Sequence, residues 1–264
     1  MSSPLHTAER VSHSDVSDNF VLARSVLAYR EAALRLHDHA LEVLEIGTGS
    51  GYGIEVLAPV CGSLITVDKH PPAPHLFEGH PNVEFRAMRV PPLDFPSDSF
   101  DCVVSFQVIE HIKSDEAFVT EVFRVLRPGG RFIVTTPNAP RSLTRNPWHV
   151  REYTAEQLFA LLSRHFETVE ALGVFGGERV EEYYEHNKKG VARIARFDIF
   201  RLRQWLPRWM LRVPYDIANR INRRRLLTEN RDLTTAIAPD DYYIAPVSER
   251  GEEAFDLFYI ATKS

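Results

Sequence analysis

The chain has 264 residues, 44% of them hydrophobic, which suits one large globular domain or one domain carrying a sizeable insertion. Its formal net charge is −5, no apolar run approaches the roughly 20 residues of a membrane span, and the N-terminal stretch lacks the apolar core of a signal peptide. Two cysteines, Cys61 and Cys102, offer no disulfide framework, so a reducing cytoplasm is the expected setting.

Residues 1–17 read as a polar, mobile tail. From Asp18 to Leu36 apolar residues recur at helical spacing (Val21, Leu22, Val26, Tyr29, Ala33), with Ser17 or Asp18 placed to cap the helix. Glu42–Ile46 predicts a strand, Ile54–Ala58 the start of a helix, and Leu64–Val67 a second strand ending at Asp68. Val83–Met88 suits a third strand, before the loop that Pro91-Pro92 forces. Phe100–Phe106 is almost wholly apolar, the mark of a central strand covered on both faces. A helix over Glu116–Leu126 stops at Pro128-Gly129-Gly130, and the strand Arg131–Thr135 ends at Pro137-Asn138. Ala155–Ser163 is a helix whose Thr154 and Gln157 make a capping box, and Glu167–Val174 is a further strand. Residues 178–250 then read as mainly helical and irregular, until Phe255–Thr262 supplies a last strand. Alternation at this pace predicts an α/β fold, a doubly wound and mostly parallel sheet.

One stretch carries most of the functional signal: Glu45-Ile46-Gly47-Thr48-Gly49-Ser50-Gly51-Tyr52-Gly53. A buried strand that breaks into alternate glycines and then a helix brings backbone N–H groups against a ligand, with no side chains in the way. A dinucleotide fingerprint needs glycine where Tyr52 stands, so the pattern is E-x-G-x-G-x-G instead. Asp68, 23 positions after Glu45, sits at the tip of the second strand, where a carboxylate can accept from adjacent ribose hydroxyls.

Three further blocks follow in order: Leu93-Asp94-Phe95-Pro96-Ser97-Asp98-Ser99-Phe100-Asp101, then Glu110-His111, then Arg124-Val125-Leu126-Arg127-Pro128-Gly129-Gly130. With the glycine turn they resemble, over about residues 40–175, the class I S-adenosylmethionine-dependent methyltransferases of the type 11-like bacterial kind. The resemblance implies a Rossmann-like sheet of seven strands, the last antiparallel. It divides the chain into a tail (1–17), a cofactor-binding core (18–177), a basic helical cap inserted near the C-terminus (178–250) and the final core strand (251–264). It implies S-adenosylmethionine as cofactor, held by Glu45, Gly47, Thr48, Gly49, Gly51, Asp68 and Lys69. Met88, Arg89, Phe106 and Gln107 complete the implied cofactor site. In one respect the chain departs from its relatives: the acid that many of them place against adenine is Arg89 here.

Methyl transfer from a sulfonium asks the protein to align donor and acceptor, exclude water and, for a hydroxyl acceptor, remove a proton. Histidine suits that last task near neutral pH. His111, after the fourth strand, and His149, in the loop beyond the fifth, are the candidate catalytic residues; each has a purely structural alternative, pinning a helix or a loop. Tyr29, Arg151, Glu152, Tyr183 and Tyr184 are candidate substrate contacts. No pair of histidines has tight ligand spacing such as H-x-x-x-H, so no metal is expected.

Between His186 and Arg225 twelve Lys or Arg face two acids, a net +10 against −15 for the rest of the chain. Aromatic residues interleave with the arginines here. The segment reads first as a cap with solvated arginines, second as a lid touching an anionic membrane or phosphorylated lipid, and last as a nucleic-acid surface. Oligomeric state stays open. The functional reading is methyl transfer to a small or medium organic acceptor, through oxygen of a glycan, lipid or quinone-like precursor. The alternatives are an N-methyltransferase of a small amine and a cofactor-binding regulatory protein.

Overall fold

The computed structural model describes residues 19–36, 38–195, 210, 211, 215, 217 and 235–264. The expected tail, the cap at Ser17 or Asp18 and residues 196–209, 212–214, 216 and 218–234 of the basic cap lie outside the described residues. Among the described residues, the named helices and strands run in the order α1 (Asn19–Arg35), β1 (Asp38–Ile46), α2 (Tyr52–Leu57), β2 (Cys61–Asp68), β3 (Val83–Ala87), β4 (Phe100–Phe106), α3 (Asp115–Val125), β5 (Leu126–Pro137), α4 (Ala155–Leu162), β6 (Thr168–Gly176), α5 (Glu178–Ala195), β7 (Tyr242–Pro246) and β8 (Asp256–Thr262).

The sheet order is β3-β2-β1-β4-β5-β8-β6-β7. Strands β1 to β5 pair in parallel, while β8 runs antiparallel between β5 and β6. The sheet therefore has one strand more than the resemblance implies. Tyr242–Pro246, inside the segment read as a helical cap, pairs antiparallel with β6 and closes that edge. Its alternation explains this: Tyr242 is buried, Tyr243 is exposed, and Pro246, which has no N–H to donate, is tolerable on an edge strand.

Side-chain alternation splits the core between the two faces. Val43, Cys102, Val104 and Phe106 point to the face covered by α1, α2 and α5, whereas Leu44, Ile46 and Val103 meet α3 and α4. Each such aliphatic side chain contributes about 1.5–3 kcal/mol on burial, which holds β1 and β4 in the middle. The capping box of α4 forms as the sequence predicts: Gln157 N–H donates to Thr154 Oγ1 at 3.3 Å and Thr154 N–H to Gln157 Oε1 at 3.0 Å. The strand order reverses between β1 and β4, and the crevice outside their carboxyl ends is where such sheets bind ligands.

Candidate active site

The turn after β1 is built for close approach. Gly47 and Gly51 have φ of +98° and +83°, and a Cβ on Gly47 would run into a Val108 methyl. Gly49 N–H donates to Asp68 Oδ2 at 3.0 Å, and His70 N–H donates to Asp68 Oδ1 at 3.0 Å. Asp68 thus stands at the glycine bend, as the spacing predicts, joined to β3 where Met88 N–H reaches its carbonyl at 2.9 Å. Lys69 and Arg89 are exposed beside it, and Met88 is half-buried.

Beneath this turn lies a polar network that sequence reasoning only partly foresaw. Glu45 is fully buried; Tyr29 hydroxyl donates to its Oε1 at 2.7 Å and Thr66 hydroxyl to its Oε2. Thr48 hydroxyl shares a hydrogen bond with that of Thr66. Burial pushes the Glu45 carboxyl up, against the pull of the two donated hydrogen bonds. Burial and the neighbouring Glu45 raise the Tyr29 hydroxyl well above its ordinary value. Two expected site residues lie inside the core. Glu45, expected to hold the cofactor, supports the turn from behind, with both its oxygens engaged. Tyr29, expected as a substrate contact, packs its ring on Phe106 at 4.7 Å and Tyr52 at 5.3 Å and donates its hydroxyl to Glu45. Gly53 was missed, although it extends the glycine run. A Cβ there would collide with Glu45 and the Tyr29 ring, so only glycine lets α2 approach.

At the end of β4, Phe106 is buried against Tyr29 and Phe258, and Gln107 adopts φ +57°. A non-glycine residue held in that region costs about 1–3 kcal/mol, and such strain gathers at binding sites. Gln107 is fixed by its N–H to Thr135 O at 3.0 Å.

The loop beyond β5 folds back onto the residues after β4. Val150 and Arg151 N–H both donate to Glu110 O, at 2.7 and 3.3 Å, and Thr136 hydroxyl donates to the buried Glu110 carboxylate at 3.1 Å. The rings of His111 and His149 meet edge to face, 5.0 Å apart. His111 Nδ1 lies 3.1 Å from Trp148 O, and His149 Nδ1 lies 2.7 Å from Glu152 Oε1. A carbonyl and a carboxylate only accept, so each Nδ1 carries a hydrogen. Asn146 Nδ2 donates to His149 Nε2 at 2.9 Å.

Beside this cluster a cavity of roughly 220 Å³ opens between α1, the loop after β5 and α5, lined in part by His149, Glu152, Tyr183 and Tyr184. Arg151, expected as a substrate contact, is not among its lining residues. Its guanidinium pairs with Asp115 and donates to Lys113 O at 2.7 Å, tying the loop to the start of α3. Arg24 and Arg141 also line it, and neither was a site candidate. Arg141 lies between the Tyr184 and Phe255 rings, 3.9 and 4.1 Å from their centroids, and binds Glu181 at 2.6 Å. Arg24 pairs at 3.0 Å with Asp256, whose carboxyl burial pushes up. No sequence signal marks these residues, because their partners come from distant segments.

The family described as "Methyltransferase domain" matches residues 44–134, the span from β1 through β5. A probable S-adenosylmethionine-dependent methyltransferase of Mycolicibacterium smegmatis is 32% identical over 97% of this chain and 94% of its own length. The chain belongs to the S-adenosylmethionine-dependent methyltransferases. This methyltransferase therefore takes S-adenosylmethionine as cofactor, and the open glycine turn with a carboxylate at the next strand tip suits a sulfonium nucleoside. A ubiquinone biosynthesis O-methyltransferase of Agrobacterium fabrum is 30% identical over 37% of this chain and 41% of that one. Among solved structures, the Bacillus subtilis YcgJ protein matches 89% of this chain and 97% of its own with a TM-score of 0.51 at 18% identity, a likeness of fold. No helix among the described residues of the methyltransferase is long and apolar enough to cross a membrane.

Proposed function

We propose that this methyltransferase transfers the methyl group to a hydroxyl of a small or medium organic acceptor, a glycan, lipid or quinone-like precursor seated in the cavity beside His149. The observation that carries this reading is the imidazole pair: both rings are oriented through Nδ1, and His149 lines the cavity. An amine arriving neutral would need no such base, which favours oxygen over nitrogen as acceptor atom. The partial match to an O-methyltransferase points the same way.

The turn Gly47–Gly51 holds the cofactor's amino-acid end against main chain, and Asp68 takes the ribose hydroxyls. Met88, Arg89, Phe106 and Gln107 flank the adenine and the methionine arm. When bound, the cofactor supplies an electrophilic methyl on a sulfonium, and the sulfur keeps the electron pair of the broken bond. The protein's part is to seat the acceptor oxygen in line, exclude water beneath Tyr183 and Tyr184, and take the hydroxyl proton at the histidine cluster. Glu152 keeps His149 in the right tautomer. The direct test is calorimetry with S-adenosylhomocysteine, followed by turnover on hydroxylated and amine acceptors. Uptake of the nucleoside with product only from amines would overturn the oxygen reading, and uptake with no product from any acceptor would favour a binding protein.

A further inference from the structure

Although no histidine pair has metal-ligand spacing in the sequence, the fold brings three ligand groups together. Glu110 and His111 leave β4 side by side, His149 arrives 38 positions later, and one ligand atom from each lies within 4.8 Å of the others. We propose that Glu110, His111 and His149 form a binding site for a divalent transition metal, with the acceptor hydroxyl taking an open position on the ion. The inference rests on the acceptor placement proposed above and changes how the imidazoles act: on the hydroxyl through the ion, not as free bases.

Three observations support it. First, both imidazoles carry the partners that metal-bound histidines have, each on Nδ1: a backbone carbonyl for His111 and a carboxylate for His149. Second, the third ligand is a buried carboxylate already anchored, with Thr136 hydroxyl on its Oε2. Third, the donor set selects the ion. Two nitrogens and one oxygen suit zinc, manganese or iron(II), whereas magnesium and calcium prefer oxygen throughout. Ligands about 2.1 Å from a common ion stand about 3.4 Å apart at the tetrahedral angle, so loading draws the widest pair in by up to about 1.4 Å. The Asn146 amide gives up His149 Nε2 to the ion. Three protein ligands leave a position for an oxygen, and a hydroxyl bound there loses its proton to water far more readily than in solution.

The test uses the full chain without added histidines, stripped with chelator and saturated with S-adenosylhomocysteine. Titration with Zn²⁺ should show one saturable equivalent, Co²⁺ should give visible bands of nitrogen and oxygen coordination, and Mg²⁺ should give neither. Glu110→Gln, His111→Gln and His149→Gln should each weaken Zn²⁺ uptake at least tenfold. Glu152→Gln, one shell out, should cost about ten- to a hundredfold while keeping the Co²⁺ bands. His165→Gln, whose ring pairs with Glu116 at 2.8 Å outside the cluster, should change nothing. Absence of saturable uptake, or uptake that survives His149→Gln and His111→Gln, overturns the proposal. Nucleoside titration of every variant checks that the fold persists; wild-type protein that fails to bind the nucleoside overturns the cofactor reading instead, and leaves the metal titration to be judged by itself.

Discussion

The two halves of the active site are made in different ways. The proposed cofactor half, from β1 through α2 to β2, is contiguous in sequence, and most of its polar groups are satisfied from within: Glu45 by Thr66, with Tyr29 of α1, and Asp68 by the amides of Gly49 and His70. The acceptor half is assembled from α1, the exits of β4 and β5, α5 and the turn before β8, and its polar groups are poised toward one another across a cavity. A half that is closed on itself can be read from a motif and tolerates little change. A half built from remote segments can change its acceptor while the cofactor half stays the same.

That contrast can be broken most directly at His149. Its replacement by Ala should lower turnover about 10²–10⁴-fold, the usual contribution of a positioned acid or base, with nucleoside affinity unchanged in calorimetry. A matching loss of affinity would mean that the two halves are not separable. Next in size, Gly47→Ala should weaken S-adenosylhomocysteine binding about a hundredfold. The positive φ and the collision with Val108 together cost about 3 kcal/mol, and each 1.4 kcal/mol is tenfold. Near-normal affinity would show that the turn does not touch the cofactor.

Smaller effects sharpen the role of the buried network. Tyr29→Phe removes a hydrogen bond to a charged acceptor worth about 1.5–3 kcal/mol, so stability should fall by that order and nucleoside affinity by about tenfold, with the KM for acceptor unmoved. A change confined to acceptor KM would restore Tyr29 as a substrate contact. The least effect is a pH dependence. The Glu45 carboxyl is raised in the folded protein, so the native state holds its proton more tightly than the unfolded chain. Its contribution is therefore fully present below the ordinary carboxylate pKa and fades as pH rises through the raised folded value. Melting curves of wild type and Glu45→Gln should converge in acid and separate between the ordinary carboxylate pKa and the raised one, the wild type losing ground. Parallel curves across the range would mean that Glu45 is not raised.

The cofactor half was legible because its physics is local. Alternate glycines, an acid before them and an acid at the next strand tip act through backbone geometry, which depends on spacing alone. Glycine at position 53 extends the same run, but its reason, room for α2 against Glu45 and Tyr29, exists only in three dimensions. Strand β7 has no clear sequence signal because five residues inside an irregular segment give too short an alternation to outweigh their surroundings.

From its residues alone the chain declares a doubly wound sheet, a nucleoside cofactor and the order of the elements that hold it, since strand and helix periods and glycine spacing are properties of neighbouring positions. Tertiary structure decided which side chains meet beyond β4 and β5. His111 and His149 come within ring contact, Arg141 comes to rest between Tyr184 and Phe255, and Arg151 turns away to Asp115. Those pairings depend on how loops close over a packed sheet, which no periodicity along the chain records.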